Sequence, residues 1–332
     1  MKAHLARVLR GERLGEAEAQ AAMGTIMDGQ ATPAQIGALL GAMALRGECE
    51  DELVGFARCM RERAVPLHGP NAFDTCGTGG DGASTFNIST VASLVVAACG
   101  VRVAKHGNRS ASGACGSADL LEALGLRLEV PVEVTQASLD RVGWVFLFAP
   151  VFHAATRHAA GPRRELGVRT AFNLLGPLTN PARPEAQLVG VPRPELAPLL
   201  ARCLQRLGTR RAWVVHGAGL DELSPCGRTR VAALDEHGLR EFEVEPEQAG
   251  LSRCQPAELR ADDLAASVRA AEEVLSGRPG AARSAVVLNA AAALVVAGEV
   301  ADLRAGAVRA EQVLDDGRAA LVLTRAREVS HS

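Results

Sequence analysis

The stretch 74-DTCGTGGDGASTFNIST-90 sets four glycines, at 77, 79, 80 and 82, around Asp81 and directly in front of an apolar run. Glycine reaches positive φ and lets the backbone approach a ligand closely. Successive N–H groups in such a loop form an anion-binding nest. The apolar run predicts a helix from about Ser89-Thr90, whose free N–H groups and positive dipole end favour the same charge. Thr85, Asn87, Ser89 and Thr90 add short polar side chains. The stretch therefore predicts a cradle for phosphate or pyrophosphate. It has neither the Walker A spacing nor the Rossmann fingerprint. An ordinary βα turn accounts for one or two of the glycines, but not for four with a carboxylate among them.

Upstream of this loop the pattern is helical only. Thr32-Pro33 reads as an N-cap followed by proline at the first helical position. Ile36, Leu39, Leu40 and Met43 then recur at the spacing of one helix face. Leu53, Phe56, Ala57 and Met60 repeat it, and 64-AVPLHGPNAF-73 reads as a turn and domain boundary. Downstream, short β runs at 101–104, 144–148, 187–191 and 212–216 alternate with helical segments at 90–99, 117–124 and 194–207. That alternation predicts a mainly parallel sheet covered by helices. Residues 229–245 read as a hairpin turning at 235-DEHG-238, and the last part of the chain is helix-rich again. The expected organisation is a helical domain over 1–69, joined by part of 163–182, and an α/β domain over 70–332.

Three further segments carry candidate chemistry. The first, 105-KHGNRSASGACGSADLLEALG-125, follows the β run 101–104 and so belongs at a strand's C-terminal end, where open α/β sheets bind ligands. Lys105, His106, Asn108 and Arg109 offer donors, and Ser117 reads as the N-cap of the next helix. A lone His106 would read as a satisfied core histidine; its company makes it a ligand candidate. The second is Asp221-Glu222 in 216-HGAGLDELSP-225. An acidic pair in a loop is commonly just solvated, but beside a phosphate cradle it suits Mg²⁺, which takes few protein carboxylates and keeps phosphate oxygens. The third is 153-HAATRHAAGPRRELGVRTAFNLLGPLTNPA-182, where Arg163 follows Pro162 in the expected first turn of a helix. Helical rotation of ~100° per residue keeps Arg163 and Arg164 from facing one pocket. An arginine in such a pocket binds a carboxylate through two parallel hydrogen bonds.

Composition narrows the function classes. The 332 residues are 48% hydrophobic with a net charge of −2, which gives no global attraction to nucleic acid or anionic membrane. No apolar run approaches the ~20 residues of a membrane span. The opening 1-MKAHLARVLRGERLGE-16 is charged and amphipathic, unlike a signal peptide. The eight cysteines form no CxxC pair and read as small core residues in a reducing cytoplasm. Of the 36 basic residues counted as Lys or Arg, lysine occurs only at 2 and 105. Lys105 thus marks a place where a compact ammonium serves and arginine does not.

Together GTGGDG with TFNIST, KHGNR with GSADLLEALG, RRELGVRTAFNLLGPLTNP and GLDELSP resemble the anthranilate phosphoribosyltransferases, in order and spacing and over essentially the whole chain. The resemblance implies a small helical domain and a larger α/β domain of the nucleoside-phosphorylase-like phosphoribosyltransferase type, a cytoplasmic homodimer formed through the helical domain, and Mg²⁺. It implies attack of the anthranilate amino group on C1 of 5-phosphoribosyl pyrophosphate (PRPP), with pyrophosphate leaving. Carried over, it places Gly77, Gly80, Asp81, Thr85, Asn87, Ile88, Ser89 and Thr90 on PRPP. Lys105, His106, Gly107, Asn108, Arg109, Ser110, Ala111, Ser112, Gly113 and Ser117 join them. Ser89, Asp221 and Glu222 resemble the metal ligands, and Gly77, Asn108 and Arg163 the anthranilate site; Lys105, Asp221 and Glu222 take the catalytic roles. The chain departs from the family pattern at Gly113, where a serine is usual, at His153-Ala154 for His-Pro, and at Gly161-Pro162 for Pro-Val. A pyrimidine nucleoside phosphorylase shares the fold, but its phosphate loop resembles KHSTGG and it has no magnesium pair. A nucleic-acid-binding paralogue would carry a basic surface and lack the acidic pair.

The lysine bias generates a test. Lys105→Arg keeps the charge but replaces a point donor with a planar fork, and is expected to fail as a phosphate contact. Michaelis constants for PRPP equal to wild type in that variant would refute the point-charge role.

Overall fold

A computed structural model describes residues 1–110 and 115–332. The Thr32 signal opens its helix as predicted. Its hydroxyl accepts from Gln35 N at 3.3 Å, and the Gln35 side chain returns to Thr32 N at 3.1 Å, a reciprocal capping box. This helix, α3 (Pro33–Arg46), packs in a bundle with α1 (Lys2–Leu9), α2 (Glu16–Met27) and α4 (Glu50–Arg63). One buried carboxylate organises the bundle's turns. Glu52 accepts from Leu14 N at 2.9 Å, Cys49 N at 3.1 Å and Arg46 Nη2 at 2.6 Å, so its charge is buried but paired.

The α/β part is one seven-stranded sheet in the order β3-β2-β1-β4-β5-β6-β7. Strands β1 (Phe73–Thr75), β2 (Val103–Gly107), β3 (Trp144–Phe148), β4 (Ala186–Gly190) and β5 (Arg211–Gly217) are parallel. The predicted hairpin is β6 (Thr229–Asp235) and β7 (Gly238–Val244), antiparallel along one edge. Successive strand residues bury on opposite faces, as the pleat requires. Val103, Leu188, Trp213 and Val215 join one core with α5 (Ile88–Ala98) and the C-terminal helices. Val189, Ala212 and Val214 join another with the helical bundle. Chain order runs from β1 outward to β3 and then returns to β4 on the other side of β1. The topological switch, where such sheets bind ligands, is therefore the crevice between β1 and β4.

Helices complete the layers. Between the strands run α6 (Ser117–Ala123), α7 (Val132–Val142), α8 (Ala149–Phe152), α9 (Arg157–Leu166), α10 (Ala171–Leu175) and α11 (Leu196–Arg206). The chain closes with α12 (Leu264–Leu275), α13 (Ala281–Ala297), α14 (Leu303–Asp315) and α15 (Arg318–Ser330). Helices α9 and α10 pack on α3 and on α3 with α4, respectively, so the segment carrying the two arginines shares a core with the bundle.

Four local expectations shift. Strand β2 runs on to Gly107, so Lys105 and His106 lie within it rather than after it. Pairing with β3 continues through Phe148, and that ladder keeps the polar residues extended. Helix α5 opens at Ile88 with Asn87 as N-cap. Gly116, not Ser117, caps α6, because Asp119 in the first turn binds Gly116 N at 2.9 Å and takes over the capping role. Pro162 lies inside α9, which starts at Arg157, so Arg163 sits in its last turn rather than its first. A proline in mid-helix costs one i→i−4 bond, and the amphipathic pattern around it outweighs that loss.

The bundle yields a paired stability test. A Cβ on Gly55 in α4 would lie 2.3 Å from Glu16 O and 2.8 Å from Ala19 Cβ of α2, whereas one on Gly37 in α3 meets nothing within 4 Å. Gly→Ala in a helix interior normally stabilises by roughly 0.5–1 kcal/mol. Gly37→Ala should gain about that amount, while Gly55→Ala should lose ~1–3 kcal/mol through overpacking. Urea denaturation of both variants checks the opposite signs.

Candidate active site

The glycine loop leaves β1 at its C-terminal end and meets the loop that follows β5. Thr78 N donates to Gly190 O at 2.9 Å, tying the loop to the end of β4 across the switch crevice. Gly79 N donates to Asp221 Oδ2 at 2.6 Å. Asp81 braces the same contact, since its Oδ2 accepts from Asp221 N at 3.2 Å and its Oδ1 from Ala83 N at 3.0 Å. The approach is too close for side chains. A Cβ on Gly77 would lie 2.8 Å from Asp221 Oδ2, and one on Gly190 only 1.5 Å from Asp221 O.

Glu222 reaches the start of α5, where its Oε1 accepts from Ser89 N at 3.1 Å. The other first-turn amides also have partners: Ile88 N binds Phe86 O at 2.7 Å and Thr90 N binds Asn87 O at 3.1 Å. The expected set of free N–H groups is thus replaced by a carboxylate seated on the helix's positive end, a charge-assisted arrangement. Thr90 is buried, with its hydroxyl unpartnered. The Ile88 side chain lies in the core, so only its backbone is available to a ligand.

Lys105 lies beneath these groups, 2% exposed. Its ammonium bonds Thr75 O, and Ser89 Oγ at 3.3 Å. Its positive charge draws down two of the neighbouring acids, the buried Asp74 and the half-buried Glu222. Burial raises Asp74 to about 6, against the pull of Lys105. Burial raises Glu222 to about 7, again opposed by Lys105. Asp221 stands well above the usual carboxylate range through burial and then repulsion from Glu222 and Asp81. Asp74 in turn holds the sheet: it accepts from His106 N at 3.2 Å and from Asn180 Nδ2 at 2.8 Å, while Asn180 also bonds Ala104 O at 2.8 Å.

The second segment forms its own cradle. Asp119 Oδ2 receives Ser110 N at 3.1 Å and Gly116 N at 2.9 Å, gripping both ends of the loop. Asn108 O accepts from Ala118 N and from Ser117 Oγ, each at 3.2 Å. Gly107 leaves room for that hydroxyl, since a Cβ there would lie 2.3 Å from Ser117 Oγ. Arg109 is held by Asp119 at 3.0 Å and Glu122 at 2.8 Å. Asn87 joins the two loops, its side chain exchanging hydrogen bonds with Cys115 O and Cys115 Sγ, each at 3.2 Å. Ala111, Ser112 and Gly113, expected on the phosphate, lie outside the described residues.

Other expected residues fall elsewhere. The pleat turns His106 to the opposite face from Lys105, where Nδ1 meets Gly176 O at 2.9 Å and the ring lies 5.3 Å from that of His153. Burial depresses both histidines, His106 to about 3 and His153 to about 4, so both rings are neutral. Thr85 forms an isolated antiparallel bridge with Arg260. Arg163 stacks its guanidinium 4.8 Å over the Phe172 ring, and burial lowers its pKa. Arg164 is exposed, so the two arginines do diverge. Sequence reasoning missed Arg169, whose Nη2 donates to Thr78 O at 3.1 Å. A Cβ on Gly80, at φ +85°, would lie 1.6 Å from Arg169 Nη1. The only signal for it was its place within the motif RRELGVRT.

The crowded acids give a signed prediction. An acid whose pKa is raised on folding adds stability that is full below its ordinary value and is lost as pH rises above it. Asp221→Asn removes the repulsion among Asp221, Glu222 and Asp81. Without ligands or metal, that variant should be more stable than wild type at pH 8, with the gap shrinking toward pH 4. Its catalytic rate should nevertheless fall by ~100-fold or more, the scale of one lost charge-stabilising group. Urea melts at the two pH values, with activity alongside, decide it.

The family model for the glycosyl transferase family a/b domain matches residues 69–320, and that for its helical bundle domain matches residues 2–64. The anthranilate phosphoribosyltransferase of Moorella thermoacetica is 53% identical, covering 97% of this chain and 96% of its own. The crystal structure of the Thermus thermophilus anthranilate phosphoribosyltransferase matches with a TM-score of 0.93 at 44% identity over 99% of both chains. The Saccharomyces cerevisiae enzyme in complex with PRPP and Mg matches with a TM-score of 0.90 at 25% identity, over 99% of this chain and 97% of that one. With both family models, near-complete coverage and identity above half to a curated relative, the chain belongs to the anthranilate phosphoribosyltransferase family.

Proposed function

We propose that this chain transfers the phosphoribosyl group of PRPP to the amino group of anthranilate, giving N-(5-phosphoribosyl)anthranilate and pyrophosphate in tryptophan biosynthesis. The observation that carries the reading is the Asp221-Glu222 pair, clasped by Gly79 N and Ser89 N above the buried Lys105. Carboxylates raised by burial and mutual repulsion fit a divalent cation. Mg²⁺ is satisfied by one or two carboxylates plus phosphate oxygens. It does not depend on a cluster of three or more acidic, histidine or cysteine ligands, and none occurs among the described residues. Ser89, Asp221 and Glu222 would hold it. When bound, it supplies charge stabilisation for the pyrophosphate leaving group.

The remaining work falls to the chain itself. Ribosyl transfer passes through an oxocarbenium-like state and depends on a stabilised leaving group. Backbone N–H groups of the glycine loop and the Lys105 ammonium offer that stabilisation from fixed positions, with little reorganisation. The loops at 77–90 and 105–117 accommodate PRPP, with Gly77, Gly80, Asp81, Thr85, Asn87, Thr90, Arg109, Ser110 and Ser117 among the contacts. His106 contributes through its backbone. The aromatic amine of anthranilate is largely neutral at pH 7, so it depends on positioning more than on deprotonation. Gly77, Asn108 and Arg163 provide that positioning, Arg163 by pairing with the carboxylate. Both substrates are small molecules, and the reading includes a cytoplasmic homodimer formed through the helical bundle.

The direct test follows the fluorescence of anthranilate with PRPP and Mg²⁺; loss that requires all three supports the assignment, and unchanged fluorescence overturns it. The acceptor site is tested separately. A charge-assisted hydrogen bond contributes roughly 1.5–3 kcal/mol. Arg163→Ala should therefore raise the anthranilate Michaelis constant about ten- to a hundredfold, leaving that for PRPP little changed. Arg164→Ala should be nearly silent for both. A selective anthranilate defect in Arg164→Ala instead would shift the register of the pocket by one residue.

A further inference from the structure

The sulfurs of Cys226 and Cys254, 28 residues apart in sequence, lie 3.2 Å from each other. Their backbones are held together as well, since Cys254 N donates to Pro225 O at 3.2 Å. Both side chains are partly exposed, whereas Cys59, Cys76, Cys99 and Cys203 are buried. The expectation that all eight cysteines are core residues holds for those four, while Cys49, Cys115, Cys226 and Cys254 are half-buried. Among the described residues no other two cysteines are in sulfur–sulfur contact.

We propose that Cys226 and Cys254 form a reversible disulfide that ties the carboxylate loop to the segment bracing the glycine loop. Cys226 lies four residues beyond Glu222 in the loop that carries both carboxylates. Cys254 opens the stretch that ends against the glycine loop's exit: Leu259 O accepts from Phe86 N at 3.3 Å, and Ala261 N donates to Ser84 O at 2.8 Å. Bond formation asks the two sulfurs to close from contact to the ~2.05 Å of a disulfide. That is a movement of rotamer scale, with the backbones already paired.

The oxidant is a low-molecular-weight disulfide such as oxidised glutathione. One protein thiolate attacks a glutathione sulfur, forming a mixed disulfide and expelling one glutathione thiolate. The second protein thiolate attacks the protein sulfur of that mixed disulfide and expels the other. Two cysteine thiols are oxidised, one glutathione disulfide is reduced to two thiols, and the two protons leave the protein for the expelled thiolates. Burial and the hydrogen bond to Cys226 push the Cys254 thiol up to about 12, so attack by that thiol is slow and quickens with rising pH.

The test uses the folded full-length protein, incubated with oxidised glutathione at alkaline pH, then alkylated and mapped by mass spectrometry. The expected product is two hydrogens lighter, joins the peptides containing Cys226 and Cys254, and reverts with dithiothreitol. Its melting temperature should rise by roughly 3–6 °C over the reduced protein, the scale expected for closing a loop of this length in a chain of this size. Cys226→Ser and Cys254→Ser should show neither the mass change nor the shift. Eight titratable thiols after oxidation, a persistent glutathione adduct as end product, or a disulfide without a melting shift would each overturn the proposal.

Discussion

Two carboxylates withdrawn from water at the C-terminal edge of the sheet impose the terms that neighbouring residues meet. Asp221 and Glu222 repel each other and Asp81, and burial deepens the cost. The chain answers with backbone dipoles and two cations, Lys105 and Arg169. Gly79 N and Ser89 N point at the two side chains, and Lys105 lies below them. Glycine at 77 and 190 follows from the same constraint, because the backbone and side chain of Asp221 occupy the space where a Cβ would stand. The glycine loop is thus shaped on one side by the acidic loop it contacts, while a Cβ on Gly79 or Gly82 would meet nothing within 4 Å.

That crowding marks a site held against its own stability. Acids kept above their usual pKa favour the folded state less as pH rises. A divalent cation bound between them would relieve that repulsion. Such strain is characteristic of functional sites, where perturbed acids cluster. The buried pairing of Asp74 with His106 N and Asn180 has a different purpose: it anchors β1, β2 and the LTNPA turn to one another and gives the loops above a rigid floor.

The segment proposed for the acceptor is built on other elements. Helices α9 and α10 pack against the bundle, and Arg163 holds its guanidinium over the Phe172 ring, 4.8 Å from its centroid. Arg169 then crosses to the glycine loop at Thr78 O. A single segment therefore spans from the bundle core to the glycine loop. Gly80 accommodates the Arg169 guanidinium, both by its positive φ and by lacking a Cβ.

Much of this was legible in the residues. Periodicity and capping marked α3 and α4, alternation of β runs and helices marked the parallel sheet, and glycine density marked the loop after β1, because these signals are local. The hairpin at 235–238 was legible for the same reason. What the sequence could not decide was where side chains go once strands pair. Lys105 and His106 are adjacent in the chain, yet the pleat sends one beneath the loop and the other to a neutral histidine pair on the opposite face. The amides at the start of α5 looked open, yet Glu222, from a loop far along the chain, takes Ser89 N. The Cys226–Cys254 contact carried no local signal and Arg169 only its place in RRELGVRT, since each contact depends on segments brought together only by packing. Short-range stereochemistry is written in neighbouring residues and determined the elements; the partners of a buried charge or thiol are set by which loops the sheet's strand order brings to one edge, and that only the tertiary structure decided.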